Sequence, residues 1–185
     1  MNNSVSDIGG VAARAECLVS QQEVERALDR MARDITRELG ARDPLVLCVM
    51  IGGVVTAGHL LTRLDFPLRL DYVHATRYRG ATRGGALHWV YRPTERMDDQ
   101  HILIVDDILD EGFTLEAIAH ACREAGAASV HSAVLVEKQR AHTRDLRADF
   151  VGLRLPDRYL CGYGLDYHDY LRNLAGIYAV AQGDV

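Results

Sequence analysis

One segment, ILIVDDILDEGFT over residues 102–114, restricts the fold of this chain more than any other part of the sequence. Four apolar residues precede two adjacent carboxylates, Asp106 and Asp107, and a third carboxylate follows at Asp110. A short apolar run that ends abruptly in charged residues is typical of a strand buried in a parallel sheet. The pattern therefore predicts a buried strand over 102–105, with three carboxylates gathered just beyond its end.

A helix is predicted directly after these carboxylates. Apolar residues recur at Leu115, Ile118 and Cys122, which indicates a helix over 114–125 preceded by a loop over 106–113. The first N–H groups of a helix attract anions, so the loop is suited to a phosphate, and carboxylates beside it can hold sugar hydroxyls or a magnesium ion. The alternative is an ordinary acidic loop whose threonine only caps the helix.

Strand and helix patterns alternate along the rest of the chain. Ser20 and Glu23 have capping-box spacing and predict an amphipathic helix that ends at Gly40. Residues 76–101 predict a long excursion containing a hairpin. Apolar runs predict further strands over 45–51, 68–75, 130–136, 149–155 and 176–180. This alternation predicts an α/β fold with a mainly parallel twisted sheet flanked by helices, whose ligands bind at the carboxyl ends of the strands.

Composition excludes several classes of function. A chain of 185 residues with 48% hydrophobic residues suits a single domain over 1–185. Its apolar runs fall short of the roughly 20 residues that cross a bilayer, and the N-terminus lacks a secretory pattern, so we expect a cytoplasmic protein without a membrane partner. The four cysteines are widely separated and are expected to be core residues. A net charge of -5 argues against nucleic acid as a partner.

The segment over 102–114 resembles the phosphoribosyl-pyrophosphate signature of type I phosphoribosyltransferases. A second segment, LPDRYLCGYGLDY over 155–167, is similar to the purine-binding segment of hypoxanthine-guanine phosphoribosyltransferases. The resemblance implies a core over about 40–150 and a small hood from about 1–20 and 155–185. It implies a purine salvage enzyme that transfers the 5-phosphoribosyl group from phosphoribosyl pyrophosphate to N9 of hypoxanthine or guanine, with Mg²⁺ as cofactor.

The resemblance also implies roles for residues of the first segment. The ribose and its 5-phosphate would be bound by Asp106, Asp107, Asp110, Glu111, Gly112, Phe113 and Thr114. Asp110 would be the catalytic residue, because it lies beside the purine N7, whose proton becomes more acidic as N9 attacks the sugar. The magnesium site would be formed by Asp106, Asp107 and Asp166.

Further roles are implied outside that segment. Lys138 would donate to the 6-oxygen of the purine, Tyr159 would stack on its ring, and Leu160 and Asp166 would face its edge. Pyrophosphate would be bound by Ile51, Gly52 and Arg172, at a turn that in this family contains a non-proline cis peptide. Arg77 and Tyr78 would belong to a mobile lid. Relatives form dimers or tetramers, so the resemblance implies a homodimer or homotetramer.

Three departures from the family pattern leave alternatives open. Many relatives have lysine at the position of Ile51, and the positions of Glu111 and Phe113 are commonly small or polar. We predict that the Glu111 carboxylate points away from the phosphate, which it would repel. One alternative function is a regulator that senses phosphoribosyl pyrophosphate and binds nucleic acid. Another is a xanthine-preferring transferase, whereas Lys138 and the segment containing Tyr159 argue against adenine and pyrimidines.

Overall fold

A six-stranded sheet runs through the centre of the protein in the computed structural model, which describes residues 5–77, 87–139 and 147–185. The strands are β1 (Glu16–Ser20), β2 (Leu45–Met50), β3 (Arg69–Arg77), β4 (Leu87–Tyr91), β5 (His101–Leu109), β6 (Ser129–Gln139), β7 (Phe150–Pro156), β8 (Leu160–Cys161) and β9 (Gly176–Ala179). The central sheet has the order β4-β3-β2-β5-β6-β7, and all neighbours are parallel except β3 and β4. The predicted α/β fold with a mainly parallel sheet is therefore confirmed.

Helices cover both faces of this sheet. These helices are α2 (Gln21–Leu39), α3 (Gly53–Leu61) and α4 (Phe113–Glu124), whereas α1 (Val5–Arg14) packs in a separate cluster with residues of the C-terminal segment. Side chains alternate along β2, so that Val46 and Cys48 pack in the cluster that contains the α2 and α3 side chains, whereas Leu45 and Leu47 pack in the cluster that contains those of α4. No helix among the described residues is long and apolar enough to cross a membrane.

The predicted capping box at the start of α2 is confirmed. The Ser20 side chain accepts a hydrogen bond from the Glu23 backbone N–H, and the Glu23 carboxylate accepts one from the Ser20 backbone N–H at 2.9 Å. These two bonds satisfy backbone donors that the helix itself leaves without partners. The helix then buries one apolar face, including Leu28 and Ile35, against the sheet.

The two ends of the chain meet in a second, smaller sheet of order β1-β9-β8. All its pairings are antiparallel, with Cys17 opposite Tyr178 and Leu160 opposite Ala179. The N-terminal helix α1 packs its Ile8 and Val11 in the same cluster as Cys161 from this sheet. This arrangement places the segment after β7 beside the central sheet, next to the carboxyl ends of its strands.

The predicted boundaries of two central elements were wrong. β5 was expected to end at Val105 with a loop over 106–113, but the strand continues to Leu109. The reason is that β6 is also longer than expected and pairs with this extension, with Asp106 opposite Val134 and Leu109 opposite Glu137. The buried carboxylates therefore lie within the sheet, and the loop is reduced to the residues just before α4.

Candidate active site

A cavity of about 450 Å³ lies at the carboxyl ends of β2 and β5. It brings together ten of the residues predicted for the site: Gly52, Asp106, Asp107, Asp110, Glu111, Gly112, Phe113, Thr114, Asp166 and Arg172. The parallel arrangement explains this, because the carboxyl ends of neighbouring strands reach the same edge of the sheet. Val49, Ala75, Ile108 and Leu115 also line the cavity and were not predicted; their apolar side chains carried no signal apart from their place in strands and helix.

Asp106 and Asp107 form a buried carboxylate pair at the floor of this cavity. The two residues are 9% and 8% exposed, and the Asp107 backbone N–H donates to Asp106 Oδ1 at 2.9 Å. Burial, reinforced by the neighbouring charge of Asp107, raises the pKa of Asp106 well above its ordinary value. Burial also raises the pKa of Asp107, against the opposing effect of Arg172. Both side chains line the cavity, where their carboxyl groups can form hydrogen bonds with polar groups of a ligand.

The loop before α4 turns at Gly112, whose φ of +80° lies in the left-handed region that favours glycine. The first helical hydrogen bond runs from the Glu116 N–H to the Gly112 carbonyl at 2.9 Å. Phe113 and Thr114, the first two residues of α4, line the cavity. This helix start can bind a phosphate, as its N–H groups and dipole favour an anion.

The Gly52 turn approaches the carboxylate pair closely. A Cβ atom at Gly52 would lie 2.0 Å from Asp107 Oδ2, and one at Gly164 would lie 2.4 Å from the Gly52 carbonyl oxygen. The peptide bond between Met50 and Ile51 is cis, as the resemblance implied. Ile51 itself is 55% exposed and does not line the cavity, whereas its neighbours Met50 and Gly52 do.

Arg172 supplies positive charge to the acidic floor. Its guanidinium lies 2.8 Å from Asp166 Oδ1 and 3.9 Å from Asp107 Oδ2, and it donates to the Gly164 carbonyl at 2.7 Å. The planar fork of an arginine suits phosphate as well as carboxylate. The cavity thus combines an anion-binding helix start and an arginine with acidic groups for hydroxyls.

The family model for the phosphoribosyl transferase domain matches residues 15–168, which include nine of the ten predicted site residues that line the cavity. The chain belongs to the phosphoribosyltransferase family. It is 30% identical to the hypoxanthine-guanine phosphoribosyltransferase of Bacillus subtilis (strain 168), over 85% of this chain and 88% of that protein. It is 28% identical to the hypoxanthine-guanine phosphoribosyltransferase of Streptococcus pneumoniae, over the same shares.

Solved structures agree with this phosphoribosyltransferase fold. A hypoxanthine phosphoribosyltransferase from Staphylococcus aureus superposes with a TM-score of 0.86 at 24% identity, over 91% of this chain and 92% of that chain. A hypoxanthine-guanine-xanthine phosphoribosyltransferase superposes with a TM-score of 0.82 at 26% identity, over 90% and 97% of the two chains.

Lys138 approaches the cavity of this phosphoribosyltransferase from β6. Its ammonium Nζ lies 3.6 Å from Asp110 Oδ2 and 3.2 Å from Asp157 Oδ1, and its side chain is only 13% exposed. The prediction included Lys138 and Asp110 but missed Asp157. The sequence contained a signal for Asp157, because an acidic residue directly after a parallel strand lies at the edge of the sheet where ligands bind.

The other predicted purine contacts lie in the segment that leads into the smaller sheet. Tyr159 is 37% exposed and packs edge-on against Tyr167, with ring centroids 5.6 Å apart. Leu160 is buried in β8. Neither residue lines the 450 Å³ cavity. Of the predicted lid, Arg77 is the last residue of β3, and its side chain and all of Tyr78 lie outside the described residues.

The acidic groups suit a magnesium ion that is shared with a ligand. Within 5–77, 87–139 and 147–185, no three His, Cys, Asp or Glu side chains form a group that could hold a metal by themselves. Magnesium usually retains several waters and binds one or two carboxylates together with substrate phosphates. Asp107 and Asp166 both line the cavity beside the start of α4, and their carboxylates could supply oxygen donors of that kind.

Proposed function

We propose that the protein transfers the 5-phosphoribosyl group from phosphoribosyl pyrophosphate to N9 of hypoxanthine or guanine and releases pyrophosphate. One observation carries the choice of base: Lys138 Nζ lies 3.6 Å from Oδ2 of Asp110, which lines the cavity. A 6-oxopurine presents an acceptor at O6 next to N7, so an ammonium and a carboxylate side by side match that edge. Adenine instead has an amino group at this position, which is a donor and would face the ammonium donor of Lys138. Buried donors would then be left unpaired.

In this proposal the buried acids and the helix start hold the sugar. Asp106 and Asp107 form hydrogen bonds with the ribose hydroxyls, and the start of α4 at Phe113 and Thr114 binds the 5-phosphate. Asp110 then takes or stabilises the N7 proton as N9 attacks the anomeric carbon and the bond to pyrophosphate breaks. Arg172 together with the backbone of Ile51 and Gly52 binds the departing pyrophosphate.

Magnesium is part of the proposal, and the carboxylates of Asp106, Asp107 and Asp166 would hold it. When bound, it would offset the charge that develops on the leaving group. Arg172 already lies between Asp107 and Asp166, so it orients these oxygens. Tyr159 is proposed to stack on the base, while Leu160 and Asp166 face its edge. Arg77 and Tyr78 are proposed to belong to a lid that excludes water.

The test is a steady-state assay with phosphoribosyl pyrophosphate, Mg²⁺ and each of hypoxanthine, guanine and xanthine, which compares the three values of kcat/KM. We expect turnover of hypoxanthine and guanine, and a fall in kcat of about 10²- to 10⁴-fold in Asp110→Asn, because the general base is lost. Preference for xanthine would select that alternative. A wild-type protein that binds RNA tightly but turns over no purine would replace the enzyme by a regulator.

We also propose that the protein forms a homodimer or homotetramer. The β3–β4 edge supports this, because Leu70, Tyr72 and Val90 are exposed there by 55%, 39% and 54%. Tyr72 stacks on Tyr91 with ring centroids 4.0 Å apart, which extends the apolar surface. Apolar groups that remain exposed on a folded chain are typical of association surfaces. Light scattering of wild type and Leu70→Glu tests the assignment, and a monomeric wild type would contradict it.

A further inference from the structure

Lys138 is held between two carboxylates by the register of three parallel strands. On one side, β5 pairs with β6 so that Leu109 lies opposite Glu137, which brings the next residue, Asp110, beside Lys138. On the other side, β7 pairs with β6 so that Pro156 lies opposite Gln139, and Asp157 follows at once. The three charged residues therefore come together through strand pairing and not through one flexible loop.

The distances indicate that the ammonium is shared. Charge-assisted N–O contacts are about 2.7–2.9 Å when an ion pair is tight. Nζ lies 3.2 Å from Asp157 and 3.6 Å from Asp110, so it is nearer to Asp157 and locked to neither carboxylate. The lysine side chain is 13% exposed, whereas both acids are 44% exposed.

We propose that Asp157 is a positioning residue for purine binding, which keeps Lys138 and Asp110 far enough apart to receive O6 and N7 together. Without the Asp157 carboxylate, the ammonium moves toward Asp110 and forms a closer pair. That closer pair leaves no space for O6 and N7 of a 6-oxopurine between the ammonium and the carboxylate. It also weakens the hydrogen bond that Lys138 donates to O6. This inference rests on the proposed function, and Asp157 itself contacts neither the sugar nor the reacting bond.

The perturbation should affect the base and not the sugar. The Asp106–Asp107 pair and the start of α4 belong to β5 and the segment that follows it, whereas Asp157 follows β7, and β6 lies between these two strands in the sheet. We therefore expect Asp157→Asn to raise KM for hypoxanthine about tenfold, with kcat and KM for phosphoribosyl pyrophosphate within about twofold of wild type. A rise in KM at constant kcat is the result of losing an interaction made equally in the bound and transition states.

A double-mutant cycle separates positioning from a structural effect. If Asp157 acts through Lys138, Lys138→Met raises KM for hypoxanthine, and adding Asp157→Asn to it raises KM no further. Asp157→Glu restores most of the wild-type value, because a carboxylate at a partly exposed position can still reach Nζ. The matched control is Asp34→Asn, which removes a 2.7 Å ion pair with Arg37 on α2 and should leave both KM values unchanged.

Several results would overturn the assignment. Additive effects in the double mutant, or equal rises in KM for both substrates, would mean that Asp157 does not act through Lys138. An unchanged KM in Asp157→Asn, with active wild type, would refute the positioning role alone. A wild-type enzyme that turns over no 6-oxopurine would refute the proposed function and, with it, the purine edge that Asp157 is inferred to keep open.

Discussion

Replacing Gly52 by alanine should damage the site through one contact. The backbone of Gly52 has φ −58° and ψ −46°, which alanine adopts without strain, so the added methyl group is the only change. That methyl would lie 2.0 Å from Asp107 Oδ2 and 2.5 Å from Asp107 Cγ, whereas real Cβ contacts are essentially never below 3.0 Å. The Asp107 carboxylate, or the turn itself, must therefore move by at least 1 Å.

The expected cost follows from that displacement. A shift of about 1 Å in a positioned group can lower the rate about 100-fold, and overpacking of a buried site costs about 1–3 kcal/mol of the free energy of unfolding. We expect Gly52→Ala to lower kcat/KM for phosphoribosyl pyrophosphate by about 100-fold, measured as nucleotide formation by absorbance, while urea unfolding stays cooperative.

Gly58→Ala on α3 is the matched control. Its Cβ would have no neighbour within 4 Å, and alanine is favoured over glycine in a helix by up to about 1 kcal/mol. The control should keep full activity and gain stability. The reasoning would be refuted by a Gly52→Ala enzyme with wild-type kcat/KM, or by an equal loss of activity in both variants.

Three further changes test other parts of the protein. The pKa of Asp106 is raised in the folded protein, whereas that of an unfolded Asp is ~3.9. Between these two pKa values the folded state binds more protons than the unfolded state, so the free energy of unfolding falls as pH rises. Differential scanning fluorimetry should therefore show a higher Tm for Asp106→Asn than for wild type at pH 7, but not below pH ~4. Phosphoribosyl pyrophosphate should no longer raise the Tm of this variant. Tyr159→Ala should raise KM for hypoxanthine about tenfold, because base stacking contributes about 1–3 kcal/mol, whereas Tyr159→Phe keeps the ring and should change KM by less than about twofold. Ser20→Ala should lower the free energy of urea unfolding by about 0.5–2 kcal/mol through loss of the capping box with Glu23; no change would mean that the cap is dispensable.

Local patterns predicted the elements whose signals are local. The capping box before α2 and the apolar run of β5 were both readable, because each depends on residues close in sequence. The helix α1 was not predicted: Gly9 and Gly10 lie inside it, and glycine disfavours a helix. Its Ile8 and Val11 pack against the C-terminal segment, a contact that no local pattern contains.

The same distinction between local and long-range signals applies to the residues of the candidate site. The carboxylates and Gly112 stand within one short segment, so their joint role was predictable from order and spacing. The length of β5 and the approach of Asp157 to Lys138 depend on how β6 pairs with strands on both sides. Register between distant strands is set by packing across the whole sheet, which explains why the strand boundary and this acid were missed.

The pairing of β1 with β9 has a consequence for how the protein matures during synthesis. Glu16–Ser20 is synthesised before the strands of the central sheet, whereas its partner Gly176–Ala179 is synthesised after them. The parallel sheet with its phosphate-binding turn can fold on the nascent chain before the smaller sheet has both of its ends. Sugar-binding groups should thus be assembled first, and the segment proposed to hold the base should acquire its final place only after Gly176–Ala179 has been synthesised.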